Sequence, residues 1–278
     1  MIVDSHQHLW TADYAWLADP ALTRIRRDYG VEDLRGNLRA AGVDRTVLVE
    51  AGRGDAAETT EFLSTAAATE EIAGVVGWAS LTDPDLTGTL AGHRAGTGGH
   101  LLVGIRDQVQ GQPDDDYLDR PEVRAGLRTI ADAGLVNELV VRVEQLPAVA
   151  RAAAALPDSR FVLDHLGKPR IAAGAVGLDQ WRTLAAPVAA CPNVVAKLSG
   201  LVTEADQAGW TVEDLRPFVA SAVELFGPDR LMFGSDWPVC ELVATYTQVR
   251  DALEQILGGT PDGIFATTAI STYKLEIE

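Results

Sequence analysis

The chain has 278 residues, 47% of them hydrophobic, with a mean hydropathy of +0.04, enough to bury one large core or two small ones. Its 23 basic and 40 acidic side chains leave a formal net charge of −17, which argues against nucleic acid or anionic membrane as a partner, because both reward clustered Lys and Arg. With no apolar stretch near the ~20 residues of a membrane span and no leader-like start, we expect a soluble, cytoplasmic protein, and Cys191 and Cys240 suggest neither a metal knuckle nor a disulfide framework.

Short apolar runs rich in β-formers recur, each followed by a stretch with helical spacing. Strands are expected at Ile2–Ser5, Arg45–Glu50, Ile72–Trp78, Leu101–Arg106, Glu138–Val143, Arg160–His165, Asn193–Leu198 and Arg230–Gly234. Helices are expected between them at Val31–Ala41, Ala56–Thr69, Pro84–Ala95, Pro121–Ala133, Leu146–Leu156, Leu178–Ala190, Val212–Phe226 and Leu242–Leu257. Strands alternating with helices of about 10–15 residues imply a parallel sheet, and eight such units close most simply into an α/β (β/α)8 barrel of ~250 residues. An open, doubly wound sheet would show the same periodicity. Pro261–Tyr273 reads as one further short helix capping the barrel, and nothing resembles a linker, so residues 1–278 read as a single domain.

Active sites of such barrels lie at the C-terminal strand ends, so polar residues ending a strand are the ones to collect. His6 and His8 share one face of the first strand because strand side chains alternate; Asp4 falls on that face too, deeper, where it would orient them. Glu50 ends the second strand, Trp78 the third and Arg106 the fourth. Arg142 and Glu144 follow on the fifth, His165 in FVLDHLGKP on the sixth, Lys197 in NVVAKLSG on the seventh and Asp236 in LMFGSDWP on the eighth. Three of the five histidines thus converge, while His93 and His100 flank the glycine-rich HRAGTGGH, which reads as a flexible surface loop.

Each residue also has a plainer reading. An H-x-H alone marks an exposed strand end as readily as a site, and His165 would serve equally as a hydrogen-bonded structural histidine. Asp236 would serve as the cap of the helix after it. Arg106 would pair with Asp107 or Glu50, and Lys197 with Glu204. Trp10, Trp78 and Trp237 either wall a pocket or simply pack. Taken together, the set supports hydrolysis of a carbonyl compound, with a carboxylate moving the proton of water and histidines, a cation or a metal stabilising the oxyanion. No G-x-S-x-G, P-loop or G-x-G-x-x-G appears, so neither a serine nucleophile nor a nucleotide cofactor is expected.

The blocks DSHQHLW, GVVGWASL, LLVGIRDQVQ, FVLDHLGKPRI, VVAKLSGL and DRLMFGSDWPVC resemble, in order from Met1 to about Leu275, the sugar-lactonase branch of the amidohydrolase superfamily. That branch includes L-fuconolactonases, L-rhamnonolactonases and 2-pyrone-4,6-dicarboxylate lactonases. The resemblance implies a (β/α)8 barrel that opens a lactone of a sugar acid. It matches His6 and His8 to the first-strand pair, His165 to the later-strand histidine and Asp236 to the general base. Arg106 falls in the G-I-R block expected to contact substrate, Lys197 matches a seventh-strand cation, and Trp78 and Trp237 would line the pocket. Thr268-Ala269 departs from the N-A pair of the C-terminal helix, a structural position. His6, His8 and Asp236, with His165, could hold a single Zn²⁺; the bridging lysine or glutamate and extra histidine of a two-metal centre are missing, and the branch also includes metal-free enzymes, so bound metal stays open. Two alternatives stand beside the lactonase: a metal-dependent decarboxylase of an aromatic acid on the same barrel, and a barrel that binds a sugar acid without turning it over. The lactone's identity and any homo-oligomer are not legible.

Overall fold

The computed structural model describes residues 1–277. Eight parallel strands lie side by side in chain order: β1 (Val3–Gln7), β2 (Arg45–Val49), β3 (Ile72–Gly77), β4 (Leu102–Asp107), β5 (Val136–Leu139), β6 (Phe161–Leu163), β7 (Val194–Leu198) and β8 (Leu231–Phe233). Between them run α1 (Val31–Ala41), α2 (Ala56–Ala67), α3 (Leu86–Ala95), α4 (Pro121–Asp132), α5 (Leu146–Ala155), α6 (Gly174–Ala189), the single turn α7 (Leu201–Glu204), α8 (Val212–Phe226) and α9 (Tyr246–Leu257). Among the described residues no helix is long and apolar enough to cross a membrane.

Local chemistry sets several boundaries. Asp55 caps α2 by accepting from the Glu58 amide, and Thr245 caps α9 by accepting from that of Gln248. Pro121 opens α4, where a missing N–H costs nothing. Asp85 caps α3 and Thr245 caps α9, so these helices start later than the expected Pro84 and Leu242.

The barrel closes just past the strand ends, where the Asp236 amide donates to the His6 carbonyl at 2.8 Å and the His8 amide to that of Trp237 at 2.7 Å. Asp4 staples this seam instead of orienting the imidazoles. Its carboxylate accepts from the Ser235 amide and hydroxyl, from Tyr246 of α9 and from the His6 amide, at 2.6–3.0 Å. Ser5 adds a bond to the Phe233 carbonyl at 2.6 Å.

Because strand side chains alternate, Val47, Val49, Val76, Val136 and Val162 form one apolar cluster, distinct from the larger one between strands and helices. The C-terminal segment joins this inner cluster: a π turn at Gly263–Thr267 leads into α10 (Thr268–Tyr273), contributing Ala266, Ala269 and Tyr273. Phe265 stacks on Phe233 with centroids 5.2 Å apart. This is the expected capping helix, and it seals the end opposite the strand C-termini.

Three strands differ most from expectation, and of these β6 stops at Leu163, so that His165 lies in the turn after the strand and not at its end. β1 continues through Gln7, carrying His6 inside the barrel. β5 lies earlier than Glu138–Val143, because Gly104 and Asp107 of β4 pair with Val136 and Leu139. Glu138 is therefore an inward side chain beside Arg106, while Arg142 and Glu144 fall beyond the strand, tied to Asp115 and Arg170. His93 sits buried on α3, 3.5 Å from the Thr60 hydroxyl, not in a surface loop.

Candidate active site

His6 Nε2 and His8 Nε2 stand 3.1 Å apart at the end of β1. His8 Nδ1 lies 2.9 Å from the Val49 carbonyl, an acceptor only, so that nitrogen carries the proton and Nε2 presents its lone pair to the site. Asp236 Oδ1 faces His8 Nε2 at 3.5 Å, His6 Nε2 at 3.7 Å and His165 Nε2 at 4.0 Å. His165 is held through Nδ1 by the Ser199 hydroxyl at 2.9 Å.

These groups meet because the backbone adopts rare conformations. Asp236 has φ 55°, and after the short β6 the chain turns through His165, Leu166 and Lys168 at φ 53°, 53° and 54°, each costing about 1–2 kcal/mol for a side chain with a Cβ. Gly200 has φ 61°, and a Cβ there would meet His165 Nδ1 at 2.6 Å and Asp236 Oδ2 at 3.0 Å, so this position admits no side chain.

Burial by itself would raise the Asp236 carboxyl, but the facing imidazoles of His165, His8 and His6 outweigh it and hold the group well below the usual carboxylate range. Burial pushes His165 down to about 4 against the pull of Asp236. At neutral pH the floor is thus a carboxylate facing a neutral His165.

Beneath this floor lies a dry charged network. Arg106 donates through Nε to Glu50, through Nη2 to the Glu50 carbonyl at 2.6 Å and through Nη1 to Asp164 at 2.9 Å. Lys197 Nζ bonds Glu138 at 2.6 Å and stands 2.9 Å from His6 Nδ1 and 3.2 Å from Asp164. The Tyr273 hydroxyl completes the set by donating to Glu138. Burial pushes Glu138 up to about 7, with the Asp164 charge adding to it.

Above the floor opens a cavity of about 320 Å³ lined by His8, His165, Asp236, Arg106, Trp10, Trp16, Gln108, Lys168 and Glu204, among others. Of the residues collected from the sequence, the structure brings His6, His8, His165, Asp236, Arg106 and Glu50 together. It does not bring Lys197, Trp78 or Trp237 to the cavity wall. Lys197 is fully buried below His6, where the carboxylates draw its ammonium down. Trp237 is fully buried against Tyr29 and Glu241, and Trp78 is half-buried, its backbone bonded to Thr59. The indoles on the wall are Trp10 and Trp16. The cation on it beside Arg106 is Lys168, which the sequence marks faintly, directly after Gly167 in the HLGKP turn. Glu138 and Asp164 were also missed; the signal for each is a carboxylate inside an apolar run.

Bonds of about 2.0–2.2 Å put neighbouring donors of one ion roughly 3–4 Å apart: His6 Nε2, His8 Nε2 and Asp236 Oδ1 lie 3.1, 3.5 and 3.7 Å from one another, and His165 Nε2 lies 4.0 Å from Asp236 Oδ1. The nitrogen and oxygen donors suit a divalent ion such as zinc.

Three comparisons bear on this geometry. The chain is 38% identical to an L-fucono-1,5-lactonase of Burkholderia multivorans over 264 residues, 91% of this chain and 87% of that protein. It is 25% identical to an L-rhamnono-gamma-lactonase of Scheffersomyces stipitis over 63% of this chain and 60% of the other. A crystal structure of an amidohydrolase from Burkholderia multivorans with bound zinc superposes with a TM-score of 0.92 at 35% identity, covering 99% of each chain. The amidohydrolase family model matches residues 3–270, a span that takes in all eight strands together with His6, His8, His165 and Asp236, and this chain belongs to the amidohydrolase family.

Proposed function

We propose that this protein hydrolyses a lactone of a sugar acid, with Asp236 as general base. The observation that carries the reading is an ionised carboxylate facing three imidazoles on the floor of a cavity large enough for a six-membered sugar lactone. The 38% identity to an L-fucono-1,5-lactonase supports the substrate class.

In this mechanism Asp236 takes a proton from a water lying between it and His165, and the oxygen attacks the lactone carbonyl. The Arg106 guanidinium faces the carbonyl oxygen as it gains charge. The tetrahedral intermediate collapses by breaking the bond to the ring oxygen, to which Asp236 returns its proton, leaving an open-chain hydroxy acid. Lys168, Gln108 and Glu204 meet the sugar hydroxyls, and Trp10 and Trp16 cover its apolar face. When bound by His6, His8, Asp236 and His165, one divalent ion, zinc by its donor set, would polarise the carbonyl and acidify the water. Arg106 already supplies positive charge and a lactone's alkoxide leaves more readily than an amine anion, so this reading has activity surviving in part when the ion is removed. Its place is the cytoplasm, in keeping with Cys191 and Cys240 buried as free thiols.

A panel of aldonolactones followed with a pH indicator tests the reading, starting from six-carbon sugar lactones. Acid release with a marked stereochemical preference is expected; no release from any member, or equal release from the Asp236→Asn variant, would sink it. Chelation with metal analysis tests the ion's part: complete loss restored only by zinc would overturn partial independence.

A further inference from the structure

We propose that the Lys197 ammonium fills a second cation site, built from His6 Nδ1, Glu138 and Asp164 directly beneath the first, and thereby limits this chain to one divalent ion. These three residues have ligand atoms that all lie within 4.8 Å of one another, and all three are fully buried. By chemistry they are a metal triad: one imidazole nitrogen and two carboxylates. Lys197 Nζ stands where an ion would, 2.6 Å from Glu138 Oε1, 2.9 Å from His6 Nδ1 and 3.2 Å from Asp164 Oδ1.

The fit is specific. The ammonium hydrogen-bonds Glu138 Oε1 and contacts His6 Nδ1, and it forms an ion pair with Asp164 Oδ1, whose own hydrogen-bonding capacity is otherwise unmet. An ion would need bonds of about 2.0–2.2 Å to the same atoms, leaving no room for Nζ, and a double positive charge beside the ammonium would be repelled in a dry interior. The side chain is fully buried and held from below, its Nζ 5.6 Å from the Tyr273 ring centroid. Asp164 Oδ1 also lies 3.2 Å from His6 Nδ1, so the ring either accepts from the ammonium or donates to the carboxylate, keeping its Nε2 available to the upper site in the second case. A metal at Nδ1 together with one at Nε2 would instead strip the ring of its last proton. Lys197 is thus a positioning residue for His6, acting through charge without touching substrate.

The test counts ions, so it stands or falls apart from lactone hydrolysis. The full chain, the Lys197→Ala variant and the Lys197→Ala/Glu138→Gln double variant are equilibrated with excess zinc, desalted and measured by plasma mass spectrometry. Lys197→Ala should hold one more zinc per chain than the unaltered protein, and the double variant should return to the unaltered count. No gain in Lys197→Ala, or an extra ion that persists after Glu138→Gln, overturns the proposal. Should Lys197→Ala fail to fold in chelator, zinc is expected to restore a cooperative melt by replacing the lost charge; a variant unfolded with and without zinc overturns the proposal as well.

Discussion

His8 Nε2 faces Asp236 Oδ1 at 3.5 Å while the other nitrogen of the same ring is anchored 2.9 Å from the Val49 carbonyl. The imidazole cannot rotate without losing that bond, so it is always Nε2 that faces the carboxylate. The Asp236 charge is stabilised by the three imidazoles together, His165 foremost.

Replacing Asp236 with asparagine keeps the shape and removes the proton acceptor. Turnover of the best lactone should fall by about 10²–10⁴-fold, the usual worth of a general base, with an unchanged far-ultraviolet circular dichroism spectrum. Near-normal turnover in a folded variant would mean that another group activates the water.

Lys168 lines the cavity from a left-handed backbone position at φ 54°. In Lys168→Gly the side chain leaves but the conformation becomes easier, so the two effects separate. KM should rise about tenfold, roughly 1.4 kcal/mol, while the melting temperature holds or climbs. A drop in melting temperature with KM unchanged would refute a substrate contact.

Arg106 neutralises Glu50 and Asp164 where all three side chains are buried. Arg106→Leu keeps the bulk and strands both carboxylates, which should cost about 3–5 kcal/mol, read as a lower urea midpoint. A midpoint close to that of the unaltered protein would show that the carboxylates take up protons or water without penalty.

Glu58 holds the segment after β1 by accepting from Tyr14 at 2.8 Å and from the Ala51 amide at 3.2 Å, while its Oε2 has no partner. Burial and the Glu50 charge raise its carboxyl above the ordinary 4.5. On titration the unfolded chain gives up this proton first, so the group's contribution to stability is full below 4.5 and declines as pH rises through the folded value. Glu58→Gln cannot titrate; its stability relative to the unaltered protein should improve from pH 4 to pH 8 in paired urea melts. A constant difference across that range would refute the buried charge.

The sequence made the site's catalytic edge legible for a physical reason. H-x-H, His165 and Asp236 each end an apolar run, and strand alternation with eight repeats says where such ends converge. The floor was not legible. In LVNELVVRV the apolar residues are nearly continuous, so period alone could not place the ends of β5, which starts two residues and stops four residues earlier than expected, keeping Glu138 inside the strand and leaving Arg142 beyond it. Lys197 was readable as a cation on a strand, but its direction depends on carboxylates from β5 and β6. The positive φ angles at His165, Lys168 and Asp236 are carried by residues with side chains, and nothing in composition marks them. Tryptophans were assigned by strand position, yet those on the wall come from the loop after β1, whose path no periodicity describes.

The seam between the first and last strands is made by the backbone of the residues at the cavity floor: the Asp236 amide rests on His6 and the His8 amide on Trp237. During synthesis Asp236 emerges more than two hundred residues after His6 and His8, though only 71 after His165. A growing chain therefore cannot assemble this site piecemeal, and the moment of ring closure is the moment at which its groups meet. Any rearranged version of the gene that places its new ends in the 234–238 loop would separate those events, whereas a cut among the outer helices would leave them joined.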